Sequence, residues 1–358
     1  MTAAEAAHAI ARGFDRAYGE GVSTLCPMAD GGEGTVQAFV DGGARRETVR
    51  VRGPLGDAVD AAYALQGDSA IIELASSSGL ALVPPERRDI MHANTAGFGE
   101  VIRAVMERRV RRIVAGIGGS ATNDVGTGML RSLGTRFLDR ESKPIEGPMT
   151  AFELLASIDL THFEMRKTRV AFDVASDVDS PLTGEQGAAA VFASQKGATA
   201  AQIAQLETIA NRIADVTAAA VGRDVRGERG AGAAGGVGFA LLAFFRAHMH
   251  RGVDLIARER GLTRLLDGAS LCATGEGKID MQTLRGKTVA GVAQLARERG
   301  VSVIAFAGKV EDDARVALGE RGVEVRQTAP AMMDAAQAMG RAAELLERAA
   351  YEYAVERR

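Results

Sequence analysis

The sequence predicts two α/β lobes built around a mainly parallel sheet, and three observations support that prediction. Short apolar runs alternate along the chain with longer helical periods, which is the pattern of α/β layers. The chain has 358 residues, which is more than one typical domain contains. Residues 47–54 and 57–67 alternate with period two around the turn Gly53-Pro54-Leu55-Gly56, so we also expect an antiparallel hairpin.

The first third of the chain divides into elements by periodicity and capping residues. Thr2 and Glu5 form a candidate capping box, which predicts a helix that opens close to the first residue. Asn94 or Thr95 is the candidate cap of a later helix. The predicted elements are a helix at 3–18, a strand at 22–28, a helix at 35–43, the hairpin, a buried strand at 70–76, a helix at 94–109 and a strand at 111–119.

The remainder of the chain is less regular in the middle and alternates plainly towards its end. The alanine-rich segment 199–222 predicts a helix, and the glycine-rich segment 230–249 predicts a turn that leads into another. The other predicted elements are a strand at 168–176, a strand at 265–275, a helix at 288–300, a strand at 301–308, a helix, a strand at 323–328 and a final helix.

Composition excludes several classes of protein. The formal net charge is −3, which gives no electrostatic case for binding nucleic acid or an anionic membrane. No window approaches the roughly 18 uninterrupted apolar residues of a membrane span, and the first residues lack a signal-peptide pattern. The two cysteines, Cys26 and Cys272, are far apart in sequence, which disfavours a disulfide framework. We therefore expect a cytoplasmic enzyme.

Five stretches place glycines beside polar or acidic residues at predicted strand ends. In open α/β sheets the ligand crevice lies beyond the carboxyl ends of the strands, so all five are expected to converge on one site. The stretches are ADGGEGT (29–35), ASSSGL (75–80), GIGGSATND (116–124), SDVDSPLTG (176–184) and TGEGKIDMQT (274–283).

The stretch GIGGSATND admits two interpretations with about even weight. Glycines let backbone amides approach an anion, and a following helix adds a partial positive charge at its N-terminus. In that interpretation Gly118, Gly119 and Ser120 hold a phosphate or carboxylate, and Asn123 and Asp124 are candidates both for substrate binding and for capping the helix. The alternative is a tight strand-to-helix turn without a ligand.

Two acidic pairs are candidates for proton transfer or metal binding. Asp30 and Glu33 lie within one turn and suit Mg²⁺ shared with phosphates, although an Asx-turn at a helix start is the alternative. Asp177 and Asp179 have period-two spacing, which places both on one face of an extended segment.

Three further groups complete the candidate set. Glu276, Lys278 and Asp280 alternate in the same way, and Lys278 suits charge neutralisation of a phosphoryl group; mutual ion pairs are the alternative. Ser76 and Ser77 offer hydroxyls either to a hydroxy acid or to a helix cap. The histidines do not predict a metal site, because His248 and His250 lie near a predicted helix end where their spacing turns them apart.

Six blocks together resemble the bacterial glycerate kinase type-1 family, and they occur in that family's order. They are PMADGGEGTVQAF, SSSGLALVPPERR, GIGGSATNDVGTGML, DVDSPLTGEQGAAAVFASQKGAT, GAGAAGGVGFALLAF and TGEGKIDMQTLRGKTVAGVA. The resemblance implies ATP-dependent phosphorylation of D-glycerate to 2-phosphoglycerate with Mg²⁺. It also implies a Rossmann-like, three-layer lobe from residues 1–45 and 263–358, a mixed-sheet α/β lobe from residues 46–262, and an active site in the cleft between them.

Within that frame, Asp177 and Asp179 are the candidate general base or Mg²⁺ ligand, Asp30 and Glu33 the next metal ligands, and Lys278 the cation for the transferred group. The expected partners are D-glycerate and ATP, with a homodimer as the candidate assembly. The family's usual first strand and Pro-Asp-Ser-Phe-Lys-Gly-Ser-Leu loop do not precede the first helix here, and Ser180 replaces a common Asn. The alternatives are a metal-dependent sugar-acid dehydratase or isomerase, and a binding protein without turnover.

Overall fold

The computed structural model describes residues 1–167, 169–285, 288–330 and 332–358. It confirms the predicted α/β class, with sheets that contain both parallel and antiparallel strands. The predicted strand 168–176 begins with a residue outside the described ranges. Residues 286–287 of the block TGEGKIDMQTLRGKTVAGVA lie outside them too. The strand itself is present from Ala171 to Ala175.

The helices differ widely in length, from one turn to six. Short 3₁₀ turns lie between several of them, and a π-helical turn spans Leu241–Phe245. In chain order the α-helices are α1 (Ala3–Tyr18), α2 (Thr35–Val40), α3 (Ala75–Ser78), α4 (Ala96–Glu107), α5 (Thr127–Ser132), α6 (Ala188–Phe192), α7 (Ala200–Val221), α8 (Ala233–Ala240), α9 (Gly252–Glu259), α10 (Leu262–Leu266), α11 (Thr288–Arg297), α12 (Asp312–Glu320), α13 (Ala335–Gly340) and α14 (Ala342–Glu356).

The strands form three sheets within the described residues. The largest has the order β1-β2-β3-β4-β7-β8, the second β11-β10-β9, and the third pairs β5 with β6. In chain order the strands are β1 (Arg45–Arg52), β2 (Ala58–Gln66), β3 (Ser69–Glu73), β4 (Arg112–Gly116), β5 (Arg136–Leu138), β6 (Ser157–Asp159), β7 (Ala171–Ala175), β8 (His248–His250), β9 (Leu271–Ile279), β10 (Ser302–Val310) and β11 (Val323–Gln327).

The chain divides into two compact units. The first unit comprises Met1–Asp30, Asp41–Gly43 and Arg251–Arg358, and the second comprises Gly31–Val40 and Ala44–His250. Compared with the predicted lobes, residues 31–40 and 44–45 fall in the second unit and residues 251–262 in the first.

The sheet of the second unit is mixed because its first two connections are tight turns and its later ones are crossovers. The pairs β1–β2 and β2–β3 are antiparallel, as the period-two runs predicted. The pairs β3–β4, β4–β7 and β7–β8 are parallel. Helix α4 buries one apolar face that includes Phe98, Val101 and Ile102. The parallel half therefore brings the carboxyl ends of β3, β4 and β7 to one edge.

The first unit has a parallel three-stranded sheet and two apolar clusters. One cluster contains Val303 of β10 and Val289 of α11. In the other, Phe306 of β10 packs edge-on against Tyr353 of α14, and Phe14 of α1 packs on the same tyrosine. The predicted capping box of α1 is confirmed, because Thr2 and Glu5 each accept the other's backbone amide.

Two local predictions are wrong. Residues 22–28 form no strand; Cys26 and Met28 instead pack their side chains on the apolar cluster of the first unit without pairing their backbone in the sheet. His248 and His250 do not lie at a helix end, because the π-helical turn stops at Phe245 and the histidines form β8. On a strand, residues two apart share a face rather than turning apart.

Helix α1 lies so close to α14 that Gly13 has no space for a side chain. A Cβ at Gly13 would lie 2.5 Å from the carbonyl oxygen of Glu347 and 2.6 Å from Ala350 Cβ. We expect Gly13→Ala to lower the free energy of unfolding by about 1–3 kcal/mol through overpacking. Urea unfolding followed by circular dichroism measures this.

The matched control is Gly319→Ala in α12, where a Cβ would meet no atom within 4 Å. There the alanine is expected to stabilise the helix by about 0.5–1 kcal/mol. Equal effects of the two substitutions would contradict the close packing of α1 on α14.

Candidate active site

Three of the five glycine–polar stretches meet at one edge of the sheet in the second unit. Strands β3, β4 and β7 are parallel, and Glu73, Gly116 and Ala175 lie side by side at their carboxyl ends. The stretches 75–80, 116–124 and 176–184 follow these strands directly. The predicted convergence holds for these three stretches.

Gly31, in the stretch ADGGEGT (29–35), packs closely against the same edge of the sheet. The Gly118 amide donates to the carbonyl oxygen of Gly31 (3.0 Å). A Cβ at Gly116 would lie 2.5 Å from that oxygen, and a Cβ at Gly31 would lie 2.6 Å from the carbonyl oxygen of Ala175. Gly31 also has a positive φ of 91°. Glycine is therefore required for these backbones to pack together.

Glu73 anchors this loop, and sequence analysis missed it. Its carboxylate accepts from the backbone amide of Val36 (3.0 Å) and from the amides of Gly34 and Thr35. Burial raises the pKa of Glu73, and the nearby charge of Glu33 raises it further. The available signal was a single acid within the apolar run AIIELAS, because an acid in a buried strand needs partners.

Removing the Glu73 carboxylate is expected to destabilise the loop. In Glu73→Ala the amides lose their acceptor, so we expect about 1–3 kcal/mol less stability, with Glu73→Gln affected less. Because the folded pKa is raised, wild-type stability falls as pH rises from the unfolded pKa through the folded one, and this loss is absent in Glu73→Gln. Urea unfolding at pH 4 and pH 7 measures both effects. A Glu73→Gln deficit that grows towards pH 7 would contradict this account.

Lys196 is the second residue that sequence analysis missed. It ends the 3₁₀ turn Ser194–Lys196 and is only 4% exposed. Its Nζ donates to Ser120 Oγ and to the carbonyl oxygen of Thr122, both at 2.7 Å. Burial lowers the pKa of Lys196 to about 7, and the charge of Asp124 opposes that shift. The lysine thus binds the stretch GIGGSATND through two hydrogen bonds.

The predicted ligand residue Asp124 serves the loop itself. It is buried and accepts four hydrogen bonds, from Thr95 N (2.9 Å), Thr95 Oγ1 (2.8 Å), Gly126 N (3.1 Å) and Gly128 N (3.0 Å). These contacts favour the capping interpretation for Asp124. By contrast, Asn123 Oδ1 and Thr122 Oγ1 are buried and have no hydrogen-bond partner among the described residues.

The two predicted serines bond to the end of β3 and the residue after it. Ser76 Oγ donates to the carbonyl oxygen of Glu73 (2.9 Å), and Ser77 Oγ donates to that of Leu74 (3.4 Å). Ser77 is fully buried, whereas Ser76 is partly exposed. The geometry favours a structural role for Ser77, and ligand binding by either serine stays a prediction.

Asp177 and Asp179 differ in their surroundings. Asp177 is half-buried two residues after β7 ends, while Asp179 is 62% exposed and forms an ion pair with Arg229. An exposed ion pair contributes little energy and screens the carboxylate. Of the two, Asp177 therefore has the environment that suits a reacting group.

In the first unit, Glu276, Lys278 and Asp280 meet at the end of β9. Lys278 Nζ lies 2.7 Å from Glu311 Oε1 and 3.3 Å from Asp280 Oδ2. Lys278 donates to both carboxylates, and these hydrogen bonds, the one to Glu311 first, raise the pKa of Lys278. Thr283 Oγ1 donates to Glu276. The ion pair that the sequence left as the alternative is present between Lys278 and Asp280, with Glu311 as an additional partner, and a role in phosphoryl transfer stays a prediction.

Comparisons with known proteins decide the family. A model of the glycerate kinase family matches residues 1–356. The chain belongs to that family. It is 43% identical to a glycerate kinase of Halalkalibacterium halodurans over 99% of this chain and 94% of that protein. It is 39% identical to a glycerate 2-kinase of Escherichia coli over 88% of this chain and 84% of that protein.

A solved structure of the same family has the same fold. It is assigned as glycerate kinase 2 of Salmonella typhimurium LT2, is 40% identical, and superposes with a TM-score of 0.87. The match covers 99% of this chain and 94% of the other. Among the helices that the structure describes, none combines the length and apolar character of a membrane span.

In this member of the glycerate kinase family, the two histidines of β8 contact an acidic residue of the neighbouring strand β7. His250 Nε2 lies 2.7 Å from Asp173 Oδ1, and Arg112 Nε donates to Asp173 Oδ2 (2.6 Å). His248 Nδ1 lies 3.9 Å from the same carboxylate. In the described part of the chain, no three His, Cys, Asp or Glu side chains are grouped to hold a metal ion.

Proposed function

We propose that this protein transfers the γ-phosphoryl group of ATP to a hydroxyl of D-glycerate and releases 2-phosphoglycerate and ADP. The observation that carries the proposal is the family match over residues 1–356, together with a relative named as a glycerate 2-kinase. The converging glycine loops and charged groups suit phosphoryl transfer, in which positioning and charge neutralisation supply most of the catalysis.

The stretch GIGGSATND is the proposed anion site. Because the Gly118 amide already donates to Gly31, the proposal rests on Gly119, which is exposed, and on Ser120 beside it. Gly119 has a positive φ of 72°, which is readily available to glycine. An anion held there keeps the substrate within reach of the residues that follow β7.

In the proposed reaction, a glycerate hydroxyl oxygen bonds to the γ-phosphorus while the bond from phosphorus to the β–γ bridging oxygen breaks, and ADP leaves with that oxygen. Asp177 accepts the hydroxyl proton, with Asp179 as the alternative. Lys278, an ammonium group at neutral pH, offsets the negative charge of the transferred group.

Mg²⁺ would be held by Asp30 and Glu33. Magnesium usually binds one or two carboxylates together with waters and substrate phosphates, so a cage of three protein ligands is not required. Glu33 is exposed and Asp30 is partly exposed, three positions apart on one loop, and their hard oxygen donors fit this ion. When bound, the ion would neutralise phosphate charge.

The test is ADP release from ATP and Mg²⁺ with D-glycerate, followed by phosphorus NMR of the product. In 2-phosphoglycerate the phosphorus couples to one carbon-bound proton and gives a doublet, whereas 3-phosphoglycerate has two such protons and gives a triplet. We expect a doublet and stoichiometric ADP. Glycerate loss without ADP would indicate a dehydratase instead, and glycerate binding without turnover would indicate a binding protein.

A further inference from the structure

The buried lysine beneath the proposed anion loop has no role in the mechanism above. Lys196 Nζ donates to Ser120 Oγ and Thr122 O, and the side chain is 4% exposed. Its Nζ thus bonds to the loop, in which Ser120 is itself only 7% exposed. Burying an ammonium group is costly, whereas an apolar side chain would pack there without that cost. Any effect of the lysine on a ligand therefore passes through its hydrogen bond to Ser120.

The chemistry of the two groups fixes the direction of the hydrogen bond. An ammonium group has only donors, so Ser120 Oγ must accept from Lys196. The hydroxyl hydrogen of Ser120 is then available to another acceptor. A neutral amine keeps one lone pair, so it can continue to donate to Thr122 O while it accepts the hydrogen of Ser120. Loss of one proton from Lys196 thus creates a new acceptor that competes for the hydroxyl hydrogen of Ser120.

The position of Ser120 suits such a role. Ser120 lies between the exposed Gly119 and Ala121, whose amide donates to the carbonyl oxygen of Ser78 (2.9 Å). The oxygen of Gly119 accepts from the Leu80 amide (2.8 Å). These two bonds fix the backbone on both sides of Ser120, so the hydroxyl hydrogen is the part that the lysine sets.

We propose that Lys196 is a positioning residue, whose ammonium group turns the hydroxyl hydrogen of Ser120 towards a substrate anion bound at Gly119 and Ser120. The proposal rests on the proposed glycerate kinase function for the identity of that anion, a carboxylate or a phosphate. Deprotonation of Lys196 withdraws the donor and weakens binding of that anion.

The surroundings of Lys196 place the loss of its proton near neutral pH. Burial lowers the pKa of Lys196 to about 7, and Asp124 acts in the opposite direction. Asp124 is itself held by Thr95 and the amides of Gly126 and Gly128. On the other side, Arg88 donates to the carbonyl oxygen of Gln195 (3.1 Å). A bound anion favours the charged lysine, so binding should take up a proton above pH 7.

The first experiment measures KM for D-glycerate and for ATP between pH 6 and pH 9. The carboxylate of glycerate keeps its charge over this range, so a change in its KM reports on the protein. We expect one KM to rise about 10- to 100-fold above the pKa of the lysine, with kcat changing less. A rise in the glycerate KM identifies the carboxylate, and a rise in the ATP KM identifies a phosphate.

The variants are Lys196→Met, Ser120→Ala and the double variant. Each is expected to remove the pH dependence of that KM, because Lys196→Met removes the titrating group and Ser120→Ala removes the hydroxyl that it orients; the double variant should match Ser120→Ala. If Lys196→Met does not fold, Ser120→Ala alone gives the flat profile. A wild-type pH profile that persists in Ser120→Ala, or additive effects in the double variant, would overturn the proposal.

Calorimetry separates this proposal from the kinase function. D-Glycerate and ATP are titrated separately at pH 8 in buffers of different ionisation enthalpy, which measures proton uptake on binding. Uptake that is lost in Lys196→Met supports the positioning role even if wild-type protein releases no ADP. If the protein releases ADP but binding takes up no proton that depends on Lys196, the kinase function stands and the positioning role of Lys196 is overturned. Absence of both binding and turnover overturns both.

Discussion

Replacing Asp177 by asparagine is expected to lower kcat for D-glycerate phosphorylation by at least about 10²-fold. Asparagine has nearly the same size but cannot accept the proton that the glycerate hydroxyl releases. Asp177 is the half-buried member of the acidic pair after β7, and it follows the strand that ends beside Gly116. Initial-rate measurements of ADP release at saturating substrates determine the effect.

The matched control is Asp179→Asn. Asp179 is 62% exposed and paired with Arg229, so its loss should change kcat by less than about threefold, as befits a surface ion pair. The reverse order of effects would make Asp179 the base. Similar, small effects in both variants would remove the pair from proton transfer, and a higher Mg²⁺ concentration for half-maximal rate in either would indicate metal binding instead.

Features encoded within a few neighbouring residues could be predicted from the sequence. Helix α1 begins at Ala3 because Thr2 and Glu5 cap it reciprocally, and both residues are visible in the sequence. The hairpin of β1 and β2 follows from two alternating runs around a glycine–proline turn. The convergence of three loops follows from the general geometry of parallel strands.

Features that depend on distant contacts could not be predicted in this way. Nothing local distinguishes Lys196 from a surface lysine, because its burial comes from elements 70 or more residues away in sequence. Glu73 is explained only by the amides of residues 34–36, which arrive from another part of the chain. The run 22–28 is apolar enough for a strand, but Cys26 and Met28 pack on the apolar cluster while its backbone forms no strand.

The same distinction applies within the candidate site. Asn123 and Asp124 are adjacent and have similar side chains, yet Asp124 is satisfied by four donors while Asn123 Oδ1 is not satisfied by any described residue. Sequence assigns both to a cap or a ligand, and only the positions of Thr95 and the following amides separate them. Residue type therefore predicted the same two roles for both side chains, and only their tertiary contacts distinguish them.

Helix α8 begins with a backbone that only its packing explains. Ala234, Gly235 and Gly236 all have left-handed dihedral angles, with φ of 54°, 66° and 91°. The carbonyl oxygen of Gly235 accepts from the amide of Val125 (2.9 Å). This turn thus lies directly against the stretch GIGGSATND, beside Thr122 and Asn123.

Replacing Gly235 by alanine is therefore expected to damage both folding and the anion loop. A Cβ there would lie 2.1 Å from the carbonyl oxygen of Thr122 and 2.6 Å from Asn123 Cα, so the loop must move. Left-handed strain and overpacking together should cost about 2–5 kcal/mol. The displaced oxygen is the one that accepts from Lys196, so folded protein should also lose activity by more than about tenfold.

Gly222→Ala is the control that separates left-handed backbone strain from displacement of the anion loop. Gly222 ends α7 with a φ of 79°, but a Cβ there would meet no atom within 4 Å. We expect that variant to lose only about 1–2 kcal/mol in urea unfolding and to keep wild-type kcat and KM. Because both residues carry the same backbone strain, any further loss in Gly235→Ala measures the contact with Thr122 and Asn123. Equal stabilities and activities in the two variants would show that the turn of α8 does not support the loop.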